Sequence, residues 1–212
     1  MQILTVSPDR YVEHQNLLEQ MFRLRADVFG GRLKWDVTIT ASGERDQYDD
    51  LNSTYILAIF GGNKVVGCAR LLPAVGPTML ERTFPQLLAD GSLNSTSRMI
   101  ESSRFCVDTT LFAGRGGGQL HLATLTMFAG IIEWSMANGY DKIVTATDLR
   151  FERILNRAGW PMARLGVPVA IGNTVAIAGT LPADQESFEQ VRPPNYRSAL
   201  VYGDNHSARS AA

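Results

Sequence analysis

Two apolar segments joined by a glycine-rich turn set the strongest limit on how this chain can fold. Residues 55–60 (YILAIF) and 64–72 (KVVGCARLL) are each long enough to form a strand, and Gly61-Gly62-Asn63 separates them. Glycine and asparagine accept the positive φ angles that tight hairpin turns require. The pattern therefore predicts an antiparallel hairpin that carries Arg70 near the end of its second strand.

A first helix and a long loop are expected ahead of this hairpin. Apolar residues recur with helical spacing over residues 17–28, and Ser7 followed by Pro8 is typical of a helix start. We expect this helix to run to Arg25 or slightly beyond. Residues 30–50 have no sustained period, so they predict a mobile loop of the kind that often binds substrate.

The second half of the chain alternates between strand and helix patterns. Residues 119–138 form the strongest helical pattern, and Gly139 is typical of the position just after a helix. Further elements are predicted as strands at 99–107 and 142–147, a helix at 149–158 closed by Gly159, and a hairpin of 168–171 with 175–178 around Gly172-Asn173. This order predicts a single α/β domain over residues 1–212, a three-layer sandwich with a mixed central sheet. It is similar to the acyl-CoA N-acyltransferase (GNAT) fold.

A glycine-rich turn precedes the long helix. Enzymes of the N-acyltransferase fold hold the pyrophosphate of coenzyme A there, in the pattern Gln/Arg-x-x-Gly-x-Gly/Ala. In this chain Arg115 is followed at once by Gly116-Gly117-Gly118, which does not match that pattern cleanly. The alternative interpretation is a plain glycine-rich turn.

Composition excludes several classes of partner. The chain has 20 Lys and Arg against 21 Asp and Glu, a net charge of −1, so we expect no binding to nucleic acid or an anionic membrane. Cys68 and Cys106 lie in apolar stretches, which is typical of reduced, buried thiols in a cytoplasmic protein. The 3 histidines show no metal-ligand spacing, and no export signal or membrane-length apolar run occurs. We therefore expect a cytoplasmic protein without a metal, and a poorly ordered tail over residues 201–212.

Charged and aromatic residues are strung through the first half in a pattern that no single helix face explains. They are Arg25, Phe29, Trp35, Asp46, Asp49, Arg70 and the tetrad Glu101-Ser102-Ser103-Arg104. A fold that gathers them would build a polar pocket, which we interpret as an active site. Any one of them alone could instead be a surface ion pair or, for Trp35, part of the core. In a regular strand Glu101 and Arg104 face opposite sides, so either a bulge brings them together or each has different partners.

At these residues the chain resembles the LuxI-type acyl-homoserine-lactone synthases, which make autoinducers. The resemblance covers nearly the whole chain and is closest to the TraI branch of rhizobial and agrobacterial conjugative plasmids. It rests on the segments ILTVSPD, RLRADVFGGRLKWDV, ERDQYD, GPTML, ESSRFCVDT, LHLATLTMFAGIIEWSMANGY and IVTATDLRFERILNRAGWP.

This resemblance implies an enzyme with two substrates and no cofactor, acting in quorum sensing. The amine of S-adenosylmethionine would attack an acyl thioester carried on acyl carrier protein, and ring closure would then release methylthioadenosine from an acyl-homoserine lactone. Glu101 is the expected base. Arg104, or backbone amides near Phe105, would stabilise the oxyanion.

The resemblance also implies a binding role for the other signature residues. Arg25, Phe29 and Trp35 would hold S-adenosylmethionine, with aromatic faces toward the sulfonium. A charged cluster would order the loop and hold the amine, and its members are Asp46, Asp49, Arg70 and Arg104.

Two threonines indicate a site for the acyl chain. Thr145 and Thr147 lie two apart on a predicted strand and therefore face one side of the sheet, among apolar neighbours. A threonine hydroxyl there could bond a keto oxygen, and the resemblance implies a 3-oxoacyl chain of about eight carbons. Met79, Phe105 and Met127 could line the acyl tunnel or could fill ordinary core.

A basic helix face is the expected docking site for acyl carrier protein, which is acidic. Arg150, Arg153 and Arg157 fall on one face of the helix predicted at 149–158. The face could instead be solvated and balanced by Glu152. The resemblance matches Arg153 and Arg157 to carrier-binding positions.

Two other functions are compatible with these patterns. An acetyl-CoA-dependent N-acetyltransferase of the same fold would rely on the turn after Arg115 rather than on the charged and aromatic set. A ligand sensor that is not an enzyme would have no need for Glu101.

Overall fold

A computed structural model describes residues 1–110 and 117–200, and the side chains of its third helix from residue 122 onward. The predicted tail at 201–212 and the start of the predicted glycine-rich turn, Arg115-Gly116, lie outside the described residues. The strands are β1 Gln2–Val6, β2 Ile39–Thr40, β3 Gly43–Glu44, β4 Thr54–Phe60, β5 Lys64–Pro73, β6 Met99–Val107, β7 Lys142–Asp148, β8 Ala163–Arg164, β9 Val169–Ile171, β10 Thr174–Pro182 and β11 Ser198–Ala199. The helices are α1 Gln15–Arg25, α2 Met79–Thr83, α3 Gly117–Ala137, α4 Leu149–Arg157 and α5 Gln185–Val191.

One mixed sheet runs through the molecule in the order β11-β1-β4-β5-β6-β7-β10-β8, with β9 paired to β10. The β1–β11 and β6–β7 pairs are parallel, and the other pairs of this sheet are antiparallel. Strands β2 and β3 form a separate small hairpin. The predicted mixed central sheet is therefore confirmed.

Helices cover both faces of the sheet, which confirms the predicted three-layer sandwich. Alternate residues of β4 show why, since Leu57 faces α1 whereas Ile56 packs against α3. The face beneath α1 and α2 is called the α1 face, and the face beneath α3, α4 and α5 is called the α3 face. No helix among the described residues is long and apolar enough to cross a membrane.

Two irregularities in the centre of the sheet position the site. Strands β6 and β7 pair only at Met99–Glu101 with residues 142–144, and beyond this point they separate into a wedge. Strands β5 and β6 shift register between Cys68 and Arg70, so two residues of β6 lie opposite one residue of β5. Arg104 occupies this bulge with a φ of 53°.

The start of the first helix differs from its prediction. Pro8–Arg10 form a single 3-10 turn, and α1 begins only at Gln15. The hydroxyl of Tyr11 donates to the carbonyl of Ser53, which anchors the chain between the turn and the helix to the start of β4. The predicted end is confirmed, because α1 runs to Arg25 and a π-helical turn continues it.

Candidate active site

Arg25, the last residue of α1, is the centre of a buried charge network on the α1 face. Its guanidinium makes two parallel hydrogen bonds to Asp49, from Nη1 to Oδ1 at 2.7 Å and from Nη2 to Oδ2 at 2.9 Å. Its Nε donates to Glu44 Oε2 at 2.5 Å. Bidentate pairs of this kind fix orientation as well as charge. The end of α1 is thereby tied to β3, through Glu44, and to the turn that contains Asp49.

Arg70 brings β5 into the same network. Its Nη1 donates to Asp46 and lies 3.1 Å from Asp49 Oδ1, while its Nε donates to Ser103 Oγ at 3.1 Å. The remaining Nη2 meets the sulfur of Met79 at 3.6 Å. A thioether is a weak acceptor, so this N–H has no strong partner in the described structure.

Arg104 reaches the network because of the bulge in β6. Its Nε donates to Glu44 Oε1 at 3.0 Å, and its Nη2 lies 2.7 Å from Asp46 Oδ2. Like Arg70, it directs one N–H at Met79 Sδ, here at 3.3 Å. Burial lowers the pKa of Arg104, and the charges of Glu44 and Asp46 offset this effect only in part. Arg104 is therefore the least compensated cation of the three.

The network contains three arginines and three carboxylates, so its formal charges balance. Burial alone would lower the pKa of Arg25, but its bonds to Asp49 and its attraction to Glu44 raise that pKa above the ordinary value. Burial also opposes ionisation of Asp49, yet Arg25 and Arg70 hold the pKa of Asp49 far below its usual range. Arg25 and Asp49 are therefore charged throughout the physiological range of pH. Removing one partner would leave a buried, uncompensated charge.

Two aromatic rings lie beside this network. Phe29 and Trp35 stack with ring centroids 5.2 Å apart and an interplanar angle of 9°. The backbone N–H of Trp35 donates to the carbonyl of Phe29 at 2.9 Å, and the guanidinium of Arg104 lies 5.6 Å from the centroid of Phe29. The stack presents aromatic surface next to charged groups, an arrangement that suits a cationic ligand.

Glu101 occupies the point where β6 and β7 part, and it is 1% exposed. Its two oxygens accept the backbone N–H groups of Met79 and Leu80 at 2.9 and 2.7 Å. Burial raises the pKa of Glu101, and these two amide bonds oppose the rise. A carboxylate with a raised pKa accepts a proton more readily than an ordinary glutamate does.

Both explanations offered for Glu101 and Arg104 are correct: a bulge places the two side chains on one face of the sheet, and each has its own bonding partners. Residues 101 and 103 face the α1 side, and the bulge keeps Arg104 there as well instead of turning it away. Their bonding partners nevertheless differ, because Glu101 takes two backbone amides whereas Arg104 takes Glu44 and Asp46.

The α3 face holds a different kind of space, a cavity of about 20 Å³ lined mainly by aromatic and aliphatic side chains. Phe105 and Phe151 are among these, and the polar members of the lining are Ser102 and Thr145. A volume of this size corresponds to roughly one water molecule. A larger ligand could enter only if the lining side chains moved.

The structure distributes the predicted acyl-chain residues over three places. Thr145 and Phe105 line this cavity, and Thr147 lies two residues further along the same face of β7. Met79 is on the α1 face, where its sulfur meets Arg70. Met127 is fully buried in the main core. Neither methionine lines the cavity.

The predicted docking arginines form an exposed basic face on α4. Arg150, Arg153 and Arg157 are all exposed, whereas Glu152 is 7% exposed and turns to β8. There its carboxylate accepts from Arg164 Nε at 2.6 Å and from Nη2 at 2.8 Å. Glu152 is thus engaged by Arg164 rather than by the three arginines of its own helix.

Glu44, Ser102 and Ser103 are site residues to which the sequence analysis assigned no individual role. Glu44 is fully buried and bridges Arg25 and Arg104. It is the first residue of the segment ERDQYD, two positions before Asp46. The position of Glu44 within this segment is therefore the sequence signal that could have identified it. Ser102 belongs to the predicted tetrad, but its place in the apolar cavity follows from the side of the strand it occupies. Among the described residues, no cluster of three or more His, Cys, Asp or Glu could hold a metal ion.

Fold and site together define the class of this protein, an acyltransferase-like α/β sandwich with a buried carboxylate at the point where two central strands separate. An acyl-CoA N-acyltransferase from Pseudomonas aeruginosa shares the fold, with a TM-score of 0.53 at 13% identity over 84% of this chain and 97% of that one. Residues 9–191 match the family model described as "Autoinducer synthase". The chain therefore belongs to the autoinducer synthase family, as an acyl-homoserine-lactone synthase.

Individual relatives agree with this assignment. The acyl-homoserine-lactone synthase of Rhizobium radiobacter is 74% identical over 212 residues, which cover 100% of both chains. The solved CoA-dependent acyl-homoserine lactone synthase BjaI, in complex with SAM and isopentyl-CoA, has a TM-score of 0.81 and 26% identity over 92% of each chain. The resemblance to the rhizobial branch of the family is thereby confirmed.

Proposed function

We propose that the enzyme transfers an acyl chain, 3-oxooctanoyl in the favoured case, from acyl carrier protein to the amine of S-adenosylmethionine. Lactonisation follows and releases methylthioadenosine. The observation that carries this proposal is the position of Glu101, a buried carboxylate with a raised pKa at the apex of the wedge. Charged groups lie on one side of this apex and the apolar cavity on the other, so two unlike substrates can meet there.

In the first step Glu101 acts as the base. It takes a proton from the substrate ammonium directly or through one water, and the free amine attacks the thioester carbonyl. A C–N bond forms, the C–S bond breaks, and the carrier thiol leaves. Each Glu101 oxygen accepts one backbone amide. Because a carboxylate oxygen has two lone pairs, each oxygen retains a position for this proton.

The second step is intramolecular. The substrate carboxylate attacks the carbon next to the sulfonium, the C–O bond of the lactone forms, and the C–S bond to methylthioadenosine breaks. The leaving group belongs to the substrate, so the protein mainly has to hold a folded conformation in which the reacting atoms approach each other.

The α1 face supplies the groups that would hold S-adenosylmethionine. Arg70 and Arg104 each direct one N–H at the sulfur of Met79, and a substrate carboxylate would be a far better acceptor for both. Asp46 Oδ2 lies within ion-pair distance of Arg104 but accepts no well-directed hydrogen bond from the described residues, which suits it to the ammonium group. The stacked rings of Phe29 and Trp35 would face the sulfonium.

The α3 face would receive the acyl chain, with the hydroxyl of Thr145 bonding the 3-oxo group. The cavity of about 20 Å³ is far smaller than an eight-carbon chain, so Phe105 and Phe151 must move when the chain enters. Motion of aromatic side chains at the unpaired part of β6 requires no break in backbone pairing with β7, because none exists there.

The acyl donor is the least constrained part of the proposal. The exposed arginines of α4 favour acyl carrier protein, because an acidic partner gains from three cations that have no ion-pair partner among the described residues. A coenzyme A thioester is the second candidate, and the observation that favours it is the likeness to BjaI, which is described as CoA-dependent. We place the reaction in the cytoplasm, in keeping with the free, buried thiols of Cys68 and Cys106.

One assay tests substrate, donor and chain length together. Purified enzyme is incubated with S-adenosylmethionine and a series of acyl thioesters on either acyl carrier protein or coenzyme A, and methylthioadenosine release is measured. We expect the fastest release with 3-oxooctanoyl on the carrier protein. Faster release with coenzyme A thioesters would overturn the donor assignment, and no release with any thioester would overturn the proposed reaction.

A further inference from the structure

The open end of the wedge between β6 and β7 is spanned by residues 32–34. Strands β6 and β7 stop pairing at Glu101 and Val144, and β6 then continues to Val107 while β7 continues to Asp148. An unpaired gap therefore opens toward those two strand ends. A segment that touched both sides of this gap would hold the mouth of the wedge at a fixed width.

Residues 32–34, called the strap, touch both sides. On the β6 side, Arg32 Nη1 donates to Thr109 Oγ1, two positions past the end of β6. On the other side, the amide of Asn173 donates to the carbonyls of Leu33 and Lys34 at 3.0 and 3.3 Å.

The place of Asn173 in the sheet explains its reach. It lies in the turn between β9 and β10, and β10 pairs with β7 so that Ala176 is opposite Asp148. The turn therefore projects beyond the end of β7, at the open mouth of the wedge. The turn lies on the β7 side of the gap, and Asn173 bonds to Leu33 and Lys34, which are 140 and 139 positions earlier in the chain.

The strap continues directly into Trp35. Lys34 has a φ of 56°, a left-handed conformation that a residue with a side chain adopts only when its surroundings hold it. The bond from Asn173 to the carbonyl of Lys34 itself supplies such a hold. The next residue, Trp35, bonds back to Phe29 and stacks on its ring.

We propose that Asn173 is a positioning residue for the reaction: by fastening the strap across the wedge, it fixes Trp35 and Phe29 in the place where the sulfonium substrate binds. The proposal rests on the function proposed for this site. It assigns the β9–β10 turn, which lies on the β7 side of the wedge, a part in binding S-adenosylmethionine. Because Asn173 acts through Trp35 and touches no reacting atom, it should affect binding far more than the chemical step.

The test compares Asn173→Asp with the matched variant Asn63→Asp. The aspartate side chain has the shape of asparagine but cannot donate to two carbonyls, so the first substitution removes the hold on the strap. Asn63 is an exposed asparagine in the other glycine-containing hairpin turn, away from the strap. Amide hydrogen exchange over residues 30–40 is measured without substrate, and steady-state constants are then measured for both substrates. Asn173→Ala serves as a second variant without added charge.

We expect faster exchange over residues 30–40 in both Asn173 variants and a Michaelis constant for S-adenosylmethionine raised about fivefold, with kcat and the constant for the acyl donor nearly unchanged. Asn63→Asp should show neither effect. Equal exchange and equal constants in Asn173→Asp and Asn63→Asp would overturn the assignment, and so would faster exchange with unchanged constants. Failure of the underlying function would look different, because the unaltered enzyme would then release no methylthioadenosine.

Discussion

The two faces of the central sheet differ in how much of their chemistry is assembled before any substrate arrives. On the α1 face, Arg25 and Asp49 are fully buried and already joined by two hydrogen bonds. On the α3 face, the space beside Thr145 is about 20 Å³, enough for roughly one water. Buried charges must be paired from the start because an unpaired one is costly, whereas apolar side chains can close over an empty site. Under the proposed function, the site for the polar substrate is assembled in advance, whereas the site for the acyl chain must open.

The largest effect should come from removing the base where the faces meet. Glu101→Gln should lower kcat by about 10²–10⁴-fold, because the glutamine keeps the shape but cannot take the proton. S-adenosylmethionine binding, measured by calorimetry, should change little. A loss smaller than tenfold would mean that the proton goes elsewhere.

The pH profile provides the control for Glu101. Its raised pKa means that the ionised form needed as a base appears at a higher pH than for an ordinary glutamate. The rate should therefore rise with pH along an acidic limb displaced upward from the usual carboxyl range, and this limb should be absent from the residual activity of Glu101→Gln.

Breaking the prebuilt charge network should cost stability. Glu44→Gln leaves both Arg25 and Arg104 facing a neutral amide, so the free energy of unfolding should fall by about 3–5 kcal/mol. For a domain of this size each kcal/mol corresponds to about 2–4 °C in Tm, which differential scanning calorimetry resolves. Glu189→Gln is the matched control, because its pair with Arg192 is exposed and should contribute less than about 1 kcal/mol. Equal losses in the two variants would contradict a special role for burial.

The donor surface should respond to charge reversal. Arg153→Glu with Arg157→Glu should raise the Michaelis constant for carrier-linked acyl groups about tenfold or more and leave that for S-adenosylmethionine nearly unchanged. The control reverses two exposed arginines elsewhere, Arg23→Glu with Arg197→Glu. A similar rise of this Michaelis constant in the control would mean that the overall charge of the protein, and not a docking face on α4, causes the effect.

The smallest effect is expected inside the acyl cavity. Thr145→Val keeps the volume and removes one hydroxyl, so the preference for a 3-oxoacyl over a saturated chain of equal length should fall about fivefold. Competition assays with both thioesters measure this ratio directly, and the saturated chain is the internal control. An unchanged ratio would show that another residue recognises the keto group, and Ser102 is the candidate because it also lines the cavity.

Much of the fold follows from local patterns, and the exceptions have long-range causes. The hairpin at Gly61-Gly62 and the helix that ends before Gly139 are confirmed because turn chemistry and periodicity act over a few residues. The 3-10 turn at Pro8 was not predicted, since the chain after it is anchored by a contact to Ser53. The bulge at Arg104 was predicted only as one of two alternatives. It depends on the register between β6 and β5, which the segment ESSRF does not reveal by itself.

The site shows the same division between local and long-range signals. Residues that carry a recognisable motif, such as Arg25 and Asp49, were predicted and do lie together. Asn173 was predicted only as part of a turn. Its link to Lys34 spans 139 positions and arises because both segments reach the end of the wedge, which only the assembled sheet reveals.

The bulge in β6 also bears on how such an enzyme can change its specificity. Along this strand Glu101, Ser103 and Arg104 serve the polar face, while Ser102 and Phe105 serve the apolar one. The two proposed substrate sites are therefore separated by the thickness of a single polypeptide strand. Substitutions at 102 or 105 can reshape the proposed acyl site and leave the charged network untouched, whereas a one-residue insertion or deletion in the regular part of β6, before the bulge, would exchange the side chains on the two faces. Specificity for the length of the acyl chain can therefore change through substitutions in β6, but not through a change in the number of residues in its regular part.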